Sequence, residues 1–218
     1  TTASLNITPD GSVNLMLGNP DVAGSRGSIA MMAAEELGID VSKVRPIIGD
    51  TSSLGYNHST VGSRVTFSAG MAIVRSARNA IKILCKRAAI IWDVPEDSVV
   101  FEDGYVRPAS TNVGDFEPLS IADIAKTAGQ TGGAIAGHAE INATGAGAGF
   151  GVHIADVEVD KETGFVKIVR YTVVEDAGKA IHPLQVEGQF QGGAVQGIGW
   201  ALNEEYIYNK DGVMDNPG

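Results

Sequence analysis

Apolar and polar positions alternate loosely over residues 4–8 and again over 12–17, with Pro9-Asp10-Gly11 between them. Alternation with a period of two marks a half-buried strand, and Pro-Asp-Gly is turn chemistry, so the chain opens as a β-hairpin. A helix is expected from about Gly27 to Leu37, with Gly38 as its C-terminal stop. Residues 44–48 form a short apolar strand, and the polar loop 49–63 carries Gly55 and Gly62. From Val65 to Trp92 the period changes. Met71, Val74, Ala77, Ile81, Leu84, Cys85, Ala88 and Ile91 recur every three or four residues, which predicts a long helix with one buried stripe. Pro95 suits the first turn of a short helix, and residues 99–102 and 105–107 form a hairpin around Asp103-Gly104. Ser120 with Asp123 is a capping pair that opens a helix running to Ala128.

Residues 129–149 are rich in Gly and Ala and are expected to be a connection without regular structure. Two β-branched strands follow, 152–159 and 165–174, joined by the hairpin loop Asp160-Lys161-Glu162-Thr163-Gly164. A helix is expected from Pro183 to Leu202, then a last hairpin, 206–208 with 213–214, around Lys210-Asp211-Gly212. This order predicts an α+β fold of two similar lobes, each of mixed or antiparallel sheet with packed helices. The lobes are expected at 1–128 and 129–218. The chain begins in a strand and stops at the turn sequence Asp215-Asn216-Pro217-Gly218, so a piece of a longer polypeptide is expected, with the second lobe cut short.

The 218 residues are 44% hydrophobic and 19% charged, as in an ordinary globular protein able to bury a core. A net charge of −10 without a basic stripe argues against nucleic acid as a partner. No apolar run is long enough for a bilayer span, and TTASLNITPDG lacks the basic start and apolar middle of a signal peptide. The single Cys85 excludes an internal disulfide and an all-cysteine metal site, and it is expected in the core. A reducing, cytoplasmic setting is the default.

The most informative stretch is EDAGKAIHPLQVEGQFQGGAVQGIG, from Glu175 to Gly199. It sets Gly178, Gly188, Gly192, Gly193, Gly197 and Gly199 among Gln185, Gln189, Gln191 and Gln196. Each Gly inside a helix costs about 1 kcal/mol relative to Ala, so such density needs a reason. Glycine lets a backbone be approached closely, and neutral amides offer paired donors and acceptors. A large polar guest satisfies both features; close packing of two helices would also use the glycines. The second candidate is Thr60-Val61-Gly62-Ser63-Arg64-Val65-Thr66, where a loop enters the long helix. Free N–H groups at a helix start and the fork of Arg64 suit a phosphate, while Ser63 capping the helix explains the same residues. Gly145-Ala146-Gly147-Ala148-Gly149 fails as a dinucleotide loop, because a strand rather than a helix follows it. His58, His138, His153 and His182 lie too far apart for a helical ligand pair, so no protein-built metal site is expected. Glu175-Asp176 ends a strand and reads as solvated or capping rather than catalytic, and no residue stands out as a general base.

Taken together these segments resemble the molybdenum hydroxylase family, which includes xanthine dehydrogenase, aldehyde oxidoreductase and the large subunit of aerobic carbon monoxide dehydrogenase. The resemblance covers nearly the whole chain. It rests on Asp10-Gly11-Ser12-Val13 with Gly18, on Ala34-Glu35-Glu36-Leu37-Gly38-Ile39 followed by Gly49-Asp50-Thr51, and on Gly62-Ser63-Arg64. Asp156-Val157-Glu158-Val159-Asp160 with Thr163-Gly164 adds to it. Its most specific part is Asp176-Ala177-Gly178, Ile181-His182-Pro183, Gly188-Gln189 and Gln196-Gly197-Ile198-Gly199. The resemblance implies a molybdenum-cofactor-binding-domain fold and a molybdopterin, commonly the cytidine dinucleotide form in bacteria, whose own dithiolene holds the metal. It implies cofactor contacts at Gly62, Ser63, Arg64, Thr66, Gln189, Gln196 and Gly197. The implied enzyme hydroxylates a heterocycle or aldehyde with oxygen from water and passes electrons to flavin (FAD) and iron–sulfur domains or subunits. The chain departs from the family's Gly-Gln-Gly, since Pro20-Asp21-Val22-Ala23-Gly24-Ser25-Arg26-Gly27 stands there and Ala23 or Gly24 replaces the glutamine. The family's catalytic glutamate lies beyond Gly218, so this stretch contains no catalytic residue and is expected to be inactive alone. The missing glutamine motivates an alternative, a non-catalytic scaffold or assembly module that keeps the fold.

Overall fold

The opening alternation produces β1 (Thr2–Ile7) and β2 (Val13–Leu17), an antiparallel pair in which Ala3 faces Leu17 and Ile7 faces Val13. The alternate residues Ala3, Leu5, Ile7, Val13, Leu15 and Leu17 are buried, so one face of the hairpin is core. The computed structural model describes residues 1–49, 52–145 and 147–216. Helix α1 (Ser25–Leu37) crosses back so that β3 (Val44–Ile48) pairs parallel to β2, and Gly38 ends the helix in the left-handed conformation. The helix begins two residues before the expected Gly27 because the Asp21 carboxylate accepts from the Arg26 N–H at 3.1 Å.

The long helix is found where the period predicts it, but its first five residues, Val65–Ala69, form a π-turn ahead of α2 (Gly70–Trp92). Its buried line is also rotated from the expected stripe. Ala72, Ile73, Ser76, Ala77, Ala80, Leu84 and Ala88 are buried, whereas Ile91 is exposed and Met71, Ile81 and Cys85 only pack against the rim of the core. Small residues take the centre because a strand lies directly under them.

That strand is the main correction. The Gly/Ala-rich connection contains β7 (Ile135–Glu140), which pairs antiparallel along the whole of β1, with Leu5 opposite Gly137. The first sheet therefore runs β3-β2-β1-β7. Ile135, Gly137 and Ala139 face inward, and a Cβ on Gly137 would strike the Ser76 carbonyl of α2. Between α2 and β7 lies a second sheet of β4 (Val99–Glu102), β5 (Tyr105–Pro108) and the short β6 (Leu119–Ser120). Ser120 and Asp123 form the expected capping box on α3, which spans Ile121–Lys126 and stops short of Ala128. The Thr127 hydroxyl donates to the Ile124 carbonyl at 2.9 Å there, and a separate turn, α4 (Ala128–Thr131), follows.

Because β7 belongs to β1, the chain divides at 145 rather than at 128, into the compact units Thr1–Gly145 and 146–218. The second unit contains an antiparallel ribbon of β8 (Phe150–Val159) and β9 (Val166–Asp176), bulged between Asp156 and Val157, and then α5 (Pro183–Leu202). Asp160 closes the ribbon loop, its carboxylate accepting from the N–H groups of Glu162 and Thr163, which lowers its pKa. The expected last hairpin reduces to a single bridge between Tyr208 and Met214.

Candidate functional site

The loop–helix junction is built from two consecutive left-handed residues, Gly62 (φ 62°) and Ser63 (φ 55°), after which Arg64 (φ −90°, ψ −14°) starts the helix. The left-handed conformation turns the chain sharply, and Ser63 holds it without the freedom of glycine. No side chain caps the helix, so the Ser63 capping seen as an alternative in the sequence does not form. The first-turn N–H groups carry the positive end of the helix dipole. Gly62, Ser63 and Thr66 are exposed and Arg64 is half-buried beside them. The Ser68 hydroxyl and N–H both donate to the Arg64 carbonyl, at 2.9 and 2.8 Å, and fix where the helix begins. The junction can thus receive an anionic group on backbone N–H donors and one guanidinium.

In the second unit, His182 caps α5, its Nδ1 accepting from the Gln185 N–H, and Pro183 occupies the first turn. Gln189 and Gln196 are seven residues apart, two turns or about 10 Å along one side of the helix. Both are exposed, as is Gly197. A Cβ built on Gly188, Gly192, Gly193 or Gly197 meets nothing within 4 Å. The glycines therefore do not serve close packing of α5 within its own unit. They fall in two pairs, 188/192 and 193/197, on either side of the Gln189–Gln196 line, so bare backbone flanks the amides where a flat, hydrogen-bonding guest can approach.

One cluster was only partly visible in the sequence. His153 on β8 is held by two residues of β9, Nδ1 lying 3.1 Å from the Tyr171 hydroxyl and Nε2 3.0 Å from Glu175 Oε1. Gly151, directly opposite Glu175, makes this possible, since a Cβ there would lie 2.5 Å from the Glu175 carboxyl carbon. Glu175 is thus a cross-strand partner rather than a solvated strand end, while Asp176 accepts from the Gly178 N–H as a cap does. Cys85 is half-buried, and burial pushes its thiol pKa up, away from reactivity. Among the described residues no group of three His, Cys, Asp or Glu could hold a metal ion, and no helix is long and apolar enough to cross a membrane. In the segment that replaces Gly-Gln-Gly, Asp21 folds onto the start of α1 and pairs with Arg26 at 3.4 Å. Asp50 and Thr51 of the Gly49-Asp50-Thr51 motif, and Ala146, Pro217 and Gly218, lie outside the described residues.

The family profile described as molybdopterin cofactor-binding domain matches residues 1–218. The chain is 33% identical to the nicotine 6-hydroxylase large subunit of Paenarthrobacter nicotinovorans, over 98% of this chain and 27% of that one. It is 31% identical to the putative xanthine dehydrogenase molybdenum-binding subunit of Escherichia coli K12, over 99% of this chain and 29% of that one. Among solved structures, quinoline 2-oxidoreductase from Pseudomonas putida 86 superposes with a TM-score of 0.85 at 27% identity, covering 99% of this chain and 28% of that one. Carbon monoxide dehydrogenase from Oligotropha carboxidovorans shares the fold, with a TM-score of 0.86 at 24% identity over 98% of this chain and 27% of that one. The chain therefore spans less than a third of the length of these relatives. With a profile matched end to end and relatives above 30% identity aligned over nearly all of it, the chain belongs to the molybdopterin cofactor-binding domain family of the molybdenum hydroxylases.

Proposed function

We propose that this chain is the part of a xanthine dehydrogenase-like molybdenum hydroxylase that grips the molybdopterin, in its cytidine dinucleotide form. The observation that carries the proposal is the α5 surface, where Gln189 and Gln196 stand exposed beside glycines with open space above them. That donor and acceptor set fits the hydrogen-bonding edges of a pterin, and the missing Cβ atoms leave room for its plane. In this reading Gln196 and Gln189 bond the pterin edges, and Gly197 permits close backbone approach. Gly62, Ser63, Arg64 and Thr66 receive an anionic phosphate of the nucleotide through N–H groups and the Arg64 fork. When bound, the cofactor supplies the metal at which a heterocycle or aldehyde is hydroxylated with oxygen from water. The full enzyme would hand the electrons to flavin and iron–sulfur domains or subunits in the cytoplasm. The nicotine 6-hydroxylase and xanthine dehydrogenase relatives described above are a hydroxylase subunit and a dehydrogenase subunit by name, and the scaffold alternative finds no support among them.

These 218 residues alone are proposed to be inactive, because the resemblance assigns the catalytic glutamate to sequence they do not include. Turnover of an aldehyde or heterocycle by the purified 218-residue protein would refute this. The central test is a molybdenum and pterin assay of the full-length subunit matured in its native host. Near-stoichiometric metal and pterin are expected; a folded subunit free of both would overturn the proposal. In that subunit Gln196→Ala should weaken pterin retention by about 1–3 kcal/mol, the usual cost of a lost buried amide contact. Unchanged molybdenum occupancy would count against Gln196 as a ligand.

A further inference from the structure

The loop that leads into the Gly62–Arg64 turn is tied to the first sheet by two asparagines. Asn57 lies on the bare backbone of Gly18, where a Cβ would come within 2.7 Å of its Cγ, and its Oδ1 accepts from the Thr2 N–H at 3.1 Å. Asn19, only 2% exposed, donates from Nδ2 to the His58 carbonyl at 2.7 Å. The Thr2 hydroxyl donates to the Tyr56 carbonyl and the Thr60 hydroxyl to the Pro20 carbonyl, both at 3.4 Å. Leu54 is buried and anchors the loop farther back. Because Thr2 N–H must meet an oxygen and the His58 carbonyl must meet an N–H, both amide orientations are settled.

Two features set this pair apart from ordinary loop packing. First, Asn19 Oδ1 and Asn57 Nδ2 are inaccessible to solvent and find no partner among the described residues. Buried orphan amides cost stability, and a loop selected for stability alone would carry apolar anchors instead. Second, the loop ends in consecutive left-handed residues, one of them Ser63 rather than glycine. Such a conformation persists only where the surrounding structure over-determines it.

We propose that Asn19 and Asn57 are positioning residues for the cofactor-contacting turn. They set the path of residues 56–60 against β1 and β2, and so hold Gly62, Ser63 and the helix N–H groups where an anionic group is received. This rests on the cofactor reading given above. The test uses the full-length subunit from its native host, comparing Asn57→Ala, Asn19→Ala, Gly18→Ala and Asn57→Asp with the parent. Gly18→Ala keeps both asparagines but pushes the Asn57 amide aside. Asn57→Asp keeps the acceptor for Thr2. Hydrogen exchange of peptides covering residues 52–64 is measured alongside pterin content after dialysis. Losing the bond should speed exchange in that loop about tenfold and lower retained pterin several-fold, with exchange in β1, β2 and α2 unchanged. Asn57→Asp should recover most of the protection. If Asn57→Ala does not fold, Gly18→Ala and Asn57→Asp carry the comparison. Parent protein that holds pterin while the variants keep normal loop exchange and pterin overturns this inference alone. A uniform rise in exchange through β1, β2 and α2 overturns it as well, since it marks a merely structural role. Parent protein without pterin removes the cofactor reading itself, and the inference with it.

Discussion

Asp10 shows how much a single turn residue can be determined by its neighbours. Its carboxylate accepts from the Thr8 hydroxyl at 2.6 Å and the Ser12 N–H at 2.9 Å, and these donors hold its pKa down to about 2. A pKa depressed in the folded state stabilises at pH values above the unfolded value. That contribution is complete above about pH 4 and is lost as pH falls toward 2. A carboxyl carbon titration by NMR should give a midpoint near 2; a midpoint near 4 would show that the turn bonds do not persist in solution. Gly137 makes the opposite case, since its role is to be absent of side chain. Gly137→Ala would drive a Cβ into the Ser76 carbonyl, and overpacking of this kind costs roughly 1–3 kcal/mol. Urea denaturation should report it, and an unchanged midpoint would mean that α2 and β7 can part without loss. At this scale the residues proposed to meet the cofactor, Gln189, Gln196 and Gly197, draw attention in the sequence because so many glycines within one helix need a reason. Asn19 and Asn57 were not legible, because their bonds join residues 39 and 55 positions apart.

Elements follow from local chemistry wherever that chemistry is strong. The Ser120–Asp123 pair was readable as a cap, and the structure contains both reciprocal bonds, with Asp123 held at a lowered pKa by the Ser120 hydroxyl. Ser120→Ala should destabilise the first unit by about 1 kcal/mol, measured by thermal unfolding, because it frees an N–H of α3 and one carboxylate. No change would mean that α3 is held by packing of Ile121 and Ile124 alone. The long helix was legible in its extent but not in its rotation. Periodicity ranks positions by side-chain hydrophobicity, whereas the buried line of α2 follows backbone proximity to β7 and favours Ala72, Ala77, Ala80 and Ala88. Strand β7 was missed for the same reason. Gly137 and Ala139 fill its inward positions, and their small size hides the alternation that marks a strand.

Across the whole molecule, the hydrophobic core cluster runs from Ala3 to Ile141 and so lies entirely within the first unit. The second unit leaves Phe150, Val152, Val174, Val195 and Trp200 exposed, and among its described residues only Ala194 is buried. Expressed separately, residues 1–145 should unfold cooperatively. Residues 147–218 should bind a hydrophobic dye and melt without a sharp transition. A cooperative melt of the second piece would show that it builds a core of its own. The sequence by itself determined the family, the strands and helices with strong periodic or turn signals, and the residue types offered to a cofactor. These depend on residues close together along the chain, whose chemistry is readable without knowing what lies beside them in space. Only the tertiary structure decided that β7 joins β1 and moves the division of the chain to 145, how α2 is rotated, and how Asn19 and Asn57 tie down the loop ahead of Gly62. Each of those depends on backbone brought together across long stretches of chain, where small side chains leave no pattern to read.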